Sequence, residues 1–204
     1  MGACPGGKTT PGRILPGFGN PVFDSQSVFR AALSAFASPA VRLKAPFGGL
    51  LGNAREDASL PLALALALCD NRTGVWLSAT YQDLWPYVSF HTGAANASPG
   101  LASFLLAASV SELPRLEGLS LGTEARPDLS ATIFLRLGGV GGGRFEARGP
   151  GIETAVILEG IGLEAPFAEE REALSGLYPQ GLDMFLCLGD ELVGLPRTTR
   201  LRAI

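Results

Sequence analysis

Residues 132–148 read Thr132-Ile133-Phe134-Leu135-Arg136-Leu137, then Gly138-Gly139-Val140-Gly141-Gly142-Gly143, then Arg144-Phe145-Glu146-Ala147-Arg148. The first block opens with β-branched and aromatic residues, the composition of a strand. The glycine block has two readings. A dinucleotide-binding loop needs G-x-G-x-x-G between a strand and a helix, so that the helix start meets the phosphates. Here the following residues alternate, Phe145 and Ala147 against Arg144, Glu146 and Arg148, as a strand does. The spacing predicts a hairpin, with a phosphate cradle at the turn as the lesser reading.

Further strands lie on both sides. Val75 to Ser78 follows the turn Asp70-Asn71-Arg72-Thr73-Gly74, and Ser103 to Ala108 is an apolar run. Ala155 to Leu158 is another. Leu182 to Leu188 and Leu192 to Leu195 flank Gly189-Asp190 as a last strand pair.

The helical signals come earlier. Asp24 is predicted to cap a helix over 24–37, because its carboxylate can accept from the free first-turn amides. Val28, Phe29, Ala32, Leu33 and Phe36 then share one face. Pro39 ends the run by disfavouring helix at Ser38. A loop with Pro46, Gly48, Gly49 and Gly52 follows. Ser59 is predicted to cap a second helix over 59–69, with Pro61 tolerated in its first turn. There Leu62, Leu64, Leu66 and Leu68 alternate with alanines; the period of two suits a strand, but alanine decides for helix. Leu84 to Phe90 and the polar-faced Ala168 to Leu174 complete the helices. Helices first, then strands interleaved with short helices, predict an α/β sandwich with a mixed sheet.

The first twenty residues carry Gly2, Pro5, Gly6, Gly7, Pro11, Gly12, Pro16, Gly17 and Gly19, which sustain neither helix nor inner strand. Residues 1–20 are expected to form an arm, and 21–204 one α/β domain. A chain of 204 residues is long enough to bury a core without disulfides. Only 17% of residues are charged and 47% are hydrophobic. That balance fits either an Ala- and Leu-rich core or apolar surface covered by a partner. A net charge of −3 and the lack of a basic stripe give no footprint for nucleic acid. The apolar run Leu60 to Cys69 is too short for a membrane span, which takes about 20 residues. No secretory signal opens the sequence, so a cytoplasmic location is expected.

Chemistry-bearing residues are sparse. Cys4, Cys69 and Cys187 are scattered, and His91 is the only histidine, so a Cys/His zinc site is not expected. Cys69 and Cys187 read as small buried hydrophobes. Gly2-Ala3-Cys4-Pro5-Gly6-Gly7-Lys8-Thr9 matches the P-loop pattern. A working P-loop needs a strand before it and a helix after it; Pro11 and Gly12 argue against the helix. His91, in Phe90-His91-Thr92-Gly93, reads either as a base or anion donor or as a hydrogen-bonded structural residue. Leu195-Pro196-Arg197-Thr198-Thr199-Arg200 reads either as an anion site, Arg197 offering a fork and Thr198 and Thr199 hydroxyls, or as a surface arginine beside threonines. No G-x-S-x-G elbow is present. The only lysines, Lys8 and Lys44, precede the strand-rich region, where a pyridoxal-phosphate enzyme would place its Schiff-base lysine.

Several segments together resemble the PhnH subunit family of carbon–phosphorus lyase. They are Pro21 to Arg30, Leu68 to Ser78, Ser89 to Ala94, Gly149-Pro150-Gly151-Ile152, Tyr178 to Asp183 and Leu195 to Thr199, in the family's order. The arm 1–17 and the Ala-Leu-rich second helix depart from the family pattern. The resemblance implies a three-layer α/β/α sandwich with a mixed sheet, like a trimmed pyridoxal-phosphate-transferase fold without the cofactor. It implies a homodimer in isolation and, in the cell, a core complex with PhnG, PhnI and PhnJ, with PhnL associated. It implies support for transfer of the ribose triphosphate of ATP to methylphosphonate, displacing adenine. No catalytic, cofactor-binding or metal residue is carried over to this chain; Arg197, Thr198, Thr199 and His91 are the candidate anion contacts. The competing expectation is an independent small-molecule-binding α/β enzyme or binding protein.

Overall fold

A computed structural model describes residues 15–45, 56–138 and 141–204. The P-loop-like stretch 2–9, with Cys4 and Lys8, and the loop 46–52 lie outside the described residues.

Residues 132–148 do not form the expected hairpin. Strand β5 (Thr132–Arg136) lies between β4 (Phe104–Ala107) and β8 (Asp183–Leu188), parallel to both. Strand β6 (Phe145–Arg148) belongs to a different sheet. The reason is that both edges of β5 are already occupied, which leaves no ladder for β6. Period-two patterning identifies a strand but not its partner. The glycines lead away instead: Gly143 N–H donates to Leu163 O at 2.8 Å, and Gly162 N–H to Gly141 O at 3.0 Å. Gly142 has φ +84, and a Cβ there would lie 2.5 Å from Leu163 O. Gly141, Gly142 and Gly143 thus serve a close backbone crossing.

The large sheet adds β1 (Leu43–Lys44), β2 (Gly74–Leu77), β3 (Ala95–Asn96) and β9 (Glu191–Leu195) in the order β1-β9-β8-β5-β4-β2-β3. Strands β3, β2, β4, β5 and β8 are parallel, while β9 runs antiparallel to β8 and β1 antiparallel to β9. The sheet is therefore mixed, as expected. The β8–β9 hairpin forms as read, closing through Gly189-Asp190 with Leu188 opposite Glu191. The second sheet has the order β10-β6-β7, with β7 (Val156–Leu158) and β10 (Arg200–Ala203).

Alternation along the central strands sends side chains to two cores. Leu106, Phe134, Phe185 and Cys187 enter one; Leu105, Ile133, Leu135, Met184 and Leu186 enter the other. The first core is covered by α1 (Pro21–Ala37), α2 (Ser59–Leu68) and α3 (Trp85–Thr92). The second is covered by α4 (Ala165–Ala173) together with the small sheet, through Phe145, Ala147, Leu158, Phe167, Ala168 and Leu201. The second covering layer is thus part helix, part sheet, where helices alone were expected.

Two caps differ from the reading. The N-cap of α1 is Asn20, whose Oδ1 accepts from Phe23 N–H. Asp24 sits in the first turn and its carboxylate accepts from Asn20 N–H at 2.7 Å. Helix α2 begins at Ser59, but Ala58 occupies the cap position and no side chain caps it. Leu60, Pro61, Leu62, Ala63, Leu64 and Ala65 are all buried. A helix enclosed on every side shows no 3.6-residue stripe, which explains its ambiguous pattern. Helix α1 packs against β9 closely enough that a Cβ on Gly194 would lie 2.3 Å from Ala35 O. Phe36 stacks on Phe185 with centroids 4.2 Å apart.

Candidate functional site

The turn Pro196–Thr199 joins β9 to β10 and is held by two arginines. Arg197 is half-buried, and its guanidinium is committed to the protein. Nε and one Nη donate to the Asp183 carboxylate, the same Nη reaches Ser130 Oγ, and the other donates to Pro127 O at 2.8 Å and Pro179 O at 3.2 Å. Its backbone N–H also donates to Asp183 Oδ1 at 2.8 Å. Arg197 therefore ties the start of β8 to the segment before β5.

The second arginine was not singled out in the sequence. Arg171 of α4 is 5% exposed and donates to the carbonyls of Leu195, Pro196 and Thr199. Burial pushes its pKa down to about 10, against the smaller opposing pull of Asp183 and Glu172, so it stays charged at neutral pH. The run Ala168 to Leu174 reads as a polar helix face. The available signal was the spacing of Phe167, Ala168 and Arg171, which places the arginine on the apolar side.

Thr199 is buried and its Oγ1 has no hydrogen-bond partner. Thr198 and Arg197 line an open cleft of about 370 Å³ with Pro127, Asp128, Tyr178, Pro179 and Pro196. The three candidate residues of this turn are thus together in space, but only by adjacency.

His91 lies elsewhere. It occupies the last turn of α3, and its Nε2 meets Leu15 O at 2.9 Å. A carbonyl only accepts, so Nε2 carries the proton. The ring packs on Tyr87 and Phe90, with centroids 4.5 and 5.0 Å away. Tyr87 Oη donates to Pro16 O at 3.2 Å. His91 and Tyr87 thereby seat residues 15–18 on α3, and His91 shares no partner with the Arg197 turn.

Cys69 and Cys187 are free and buried, as read. Burial pushes the Cys69 thiol up to about 12, and the Cys187 thiol higher still. Lys44 is exposed on β1. Among the described residues, no group of three or more His, Cys, Asp or Glu could hold a metal ion, and no helix is long and apolar enough to cross a membrane. A cavity of about 510 Å³ opens beyond the carboxyl ends of β5 and β8, lined by Asp57, Leu60, Pro61, Arg136, Leu137, Gly138, Cys187 and Gly189.

These features define a mixed-sheet α/β protein whose most elaborate polar constellation, Arg171 and Arg197 about the 196–199 turn, organises its own backbone. A family model described as bacterial phosphonate metabolism protein (PhnH) matches residues 16–202, and the chain belongs to that family. It is 34% identical over 198 residues to the alpha-D-ribose 1-methylphosphonate 5-triphosphate synthase subunit PhnH of Rhizobium meliloti (strain 1021), covering 90% of this chain and 93% of that protein. It is also 31% identical over 113 residues to HtxG of Stutzerimonas stutzeri, named as a C-P lyase subunit protein, covering 53% of this chain and 55% of that one.

Proposed function

We propose that this chain is a subunit of the carbon–phosphorus lyase system. It supports synthesis of ribose 1-methylphosphonate 5-triphosphate from ATP and methylphosphonate, as an assembly or surface-contributing subunit. The observation that carries this reading is the near full-length similarity to the Rhizobium meliloti synthase subunit. The half-length similarity to the Stutzerimonas stutzeri protein points the same way.

The finer reading has residues 21–204 as one domain related to a trimmed pyridoxal-phosphate-transferase sandwich, working in the cytoplasm. It has a homodimer in isolation and PhnG, PhnI and PhnJ as partners, with PhnL associated. Exposed Val22, Phe23, Phe29 and Leu33 along α1 supply apolar surface for a neighbouring subunit. For the anion role, the committed donors of Arg197 and the buried Thr199 leave Thr198 as the residue best placed to meet a ligand in the 370 Å³ cleft. His91, bound to Leu15 O, would contribute only from a separate surface.

The test is co-expression of the tagged chain with the G, I and J partners, followed by native mass determination. A stoichiometric complex is expected. A chain that purifies alone in the presence of all three removes the reading.

A further inference from the structure

We propose that the 510 Å³ cavity beyond the carboxyl ends of β5 and β8 binds a phosphorus oxyanion, a phosphate or phosphonate group, through Arg136. The volume falls within the roughly 300–1,000 Å³ of small-molecule sites. In open α/β sheets, ligands collect outside the carboxyl ends of the strands, because the loops there are free to vary around a rigid floor.

The floor here is the last register of the parallel ladder. Arg136 pairs with Cys187 across β5 and β8, and Leu137 N–H donates to Cys187 O at 2.9 Å. Leu60 and Pro61 of α2 form an apolar wall. Gly138 and Gly189 border open space at the mouth, since a Cβ added at either meets nothing within 4 Å. Asp57, the acid on the rim, is already engaged in other interactions.

Arg136 and the exposed Arg30 of α1 stand apart from the other described arginines, and only Arg136 lines a cavity. Arginines 42, 72, 115, 126, 144, 148, 197, 200 and 202 each have a carboxylate within 4.0 Å. Arg171 has three carbonyls. Among the described residues that line this cavity, Arg136 is the one cation, and it is half-buried with neither a hydrogen bond nor an ion pair. A partly desolvated guanidinium without a partner is costly, and an oxyanion that takes two of its N–H groups at once offsets that cost. Carboxylates share this forked geometry. The choice of phosphorus rests on the proposed function; the site itself does not.

The experiment is titration calorimetry on the purified full chain with methylphosphonate, ribose 5-phosphate and tripolyphosphate, and with succinate as a carboxylate control. At least one phosphorus probe is expected to bind, in preference to succinate. Arg136→Gln should weaken it roughly tenfold or more while leaving the unfolding temperature unchanged, because Arg136 holds no partner to lose. Gly138→Phe, which adds bulk without altering charge, should weaken it as well. Absence of binding by all three phosphorus probes, binding that neither substitution weakens, or equal or tighter binding of succinate overturns the proposal. A complex that assembles stoichiometrically around a chain failing this test refutes the site and leaves the subunit reading intact. Binding by a chain that joins no complex does the reverse.

Discussion

Replacing Arg197 by alanine tests whether the 196–199 turn is built around that side chain. In the folded chain the guanidinium satisfies Asp183, Ser130 Oγ and the carbonyls of Pro127 and Pro179. Alanine leaves Asp183 with the backbone N–H of residue 197 and strands the other acceptors. Removing one partner of a fully buried pair costs about 3–5 kcal/mol. Here the side chains of Arg197 and Asp183 are 17% and 19% exposed, so water recovers part of the loss. The lower end, about 3 kcal/mol, is the expectation. For a chain of 204 residues, each kcal/mol shifts the midpoint by roughly 2–4 °C, so Arg197→Ala should unfold about 6–12 °C below the parent. Thermal unfolding followed by circular dichroism measures this, with urea titration supplying the free energy. Arg197→Lys should recover only part of the loss, since an ammonium lacks the fork. In a double-mutant cycle with Asp183→Asn, the two changes should cost less together than the sum of each alone. An Arg197→Ala chain with the parent midpoint and no coupling to Asp183 would refute the structural role and return Arg197 to the pool of ligand contacts.

Gly194→Ala should destabilise by about 1–3 kcal/mol, because its Cβ would meet the Ala35 carbonyl of α1; denaturant unfolding reports it, and parental stability would show that α1 shifts freely on β9. In a Cys4→Ser background, Cys69 and Cys187 should resist Ellman's reagent in the native chain at pH 8 and react once urea unfolds it, since both thiols are buried and their pKa values raised. Rapid native labelling would contradict the described core. Glu112 accepts from Thr80 N–H and Oγ1, and these hydrogen bonds hold its pKa below the usual carboxylate value. A lowered folded-state pKa gives stability above the unfolded value that is lost as pH falls through the folded one. Glu112→Gln should therefore lower the melting temperature at pH 7, with the gap to the parent closing in acid; a gap independent of pH would sink this account.

Local chemistry was legible residue by residue. The Pro-bounded run of α1, the β-branched and aromatic composition of β5, the alternation of β6, and Gly189-Asp190 as a two-residue turn each express steric preferences of a few neighbouring residues. Cys69 and Cys187 read as buried hydrophobes and were found so. Less local features were misread. Asp24 looked like a cap because acid before an apolar run is a cap signature, yet Asn20 with Pro21 behind it starts the helix one turn earlier. Arg171 carried the look of a solvated helix face until three carbonyls of the 196–199 turn were placed around it.

The 132–148 stretch shows where the division falls. Its residues alone determine two extended segments and a glycine-rich passage between them, because side-chain alternation and the freedom of glycine act within a few residues. Whether those segments pair is settled by competition for ladder edges. Strands β4 and β8, distant in the chain, take both edges of β5, and Leu163 receives the glycines that were expected to turn back. The same distinction governs function. Motif-level reading pointed to Arg197, Thr198, Thr199 and His91, but the partner of an arginine is a property of the folded chain. Folding consumed the donors of Arg197 within the protein and left Arg136 unpaired beside an open cavity.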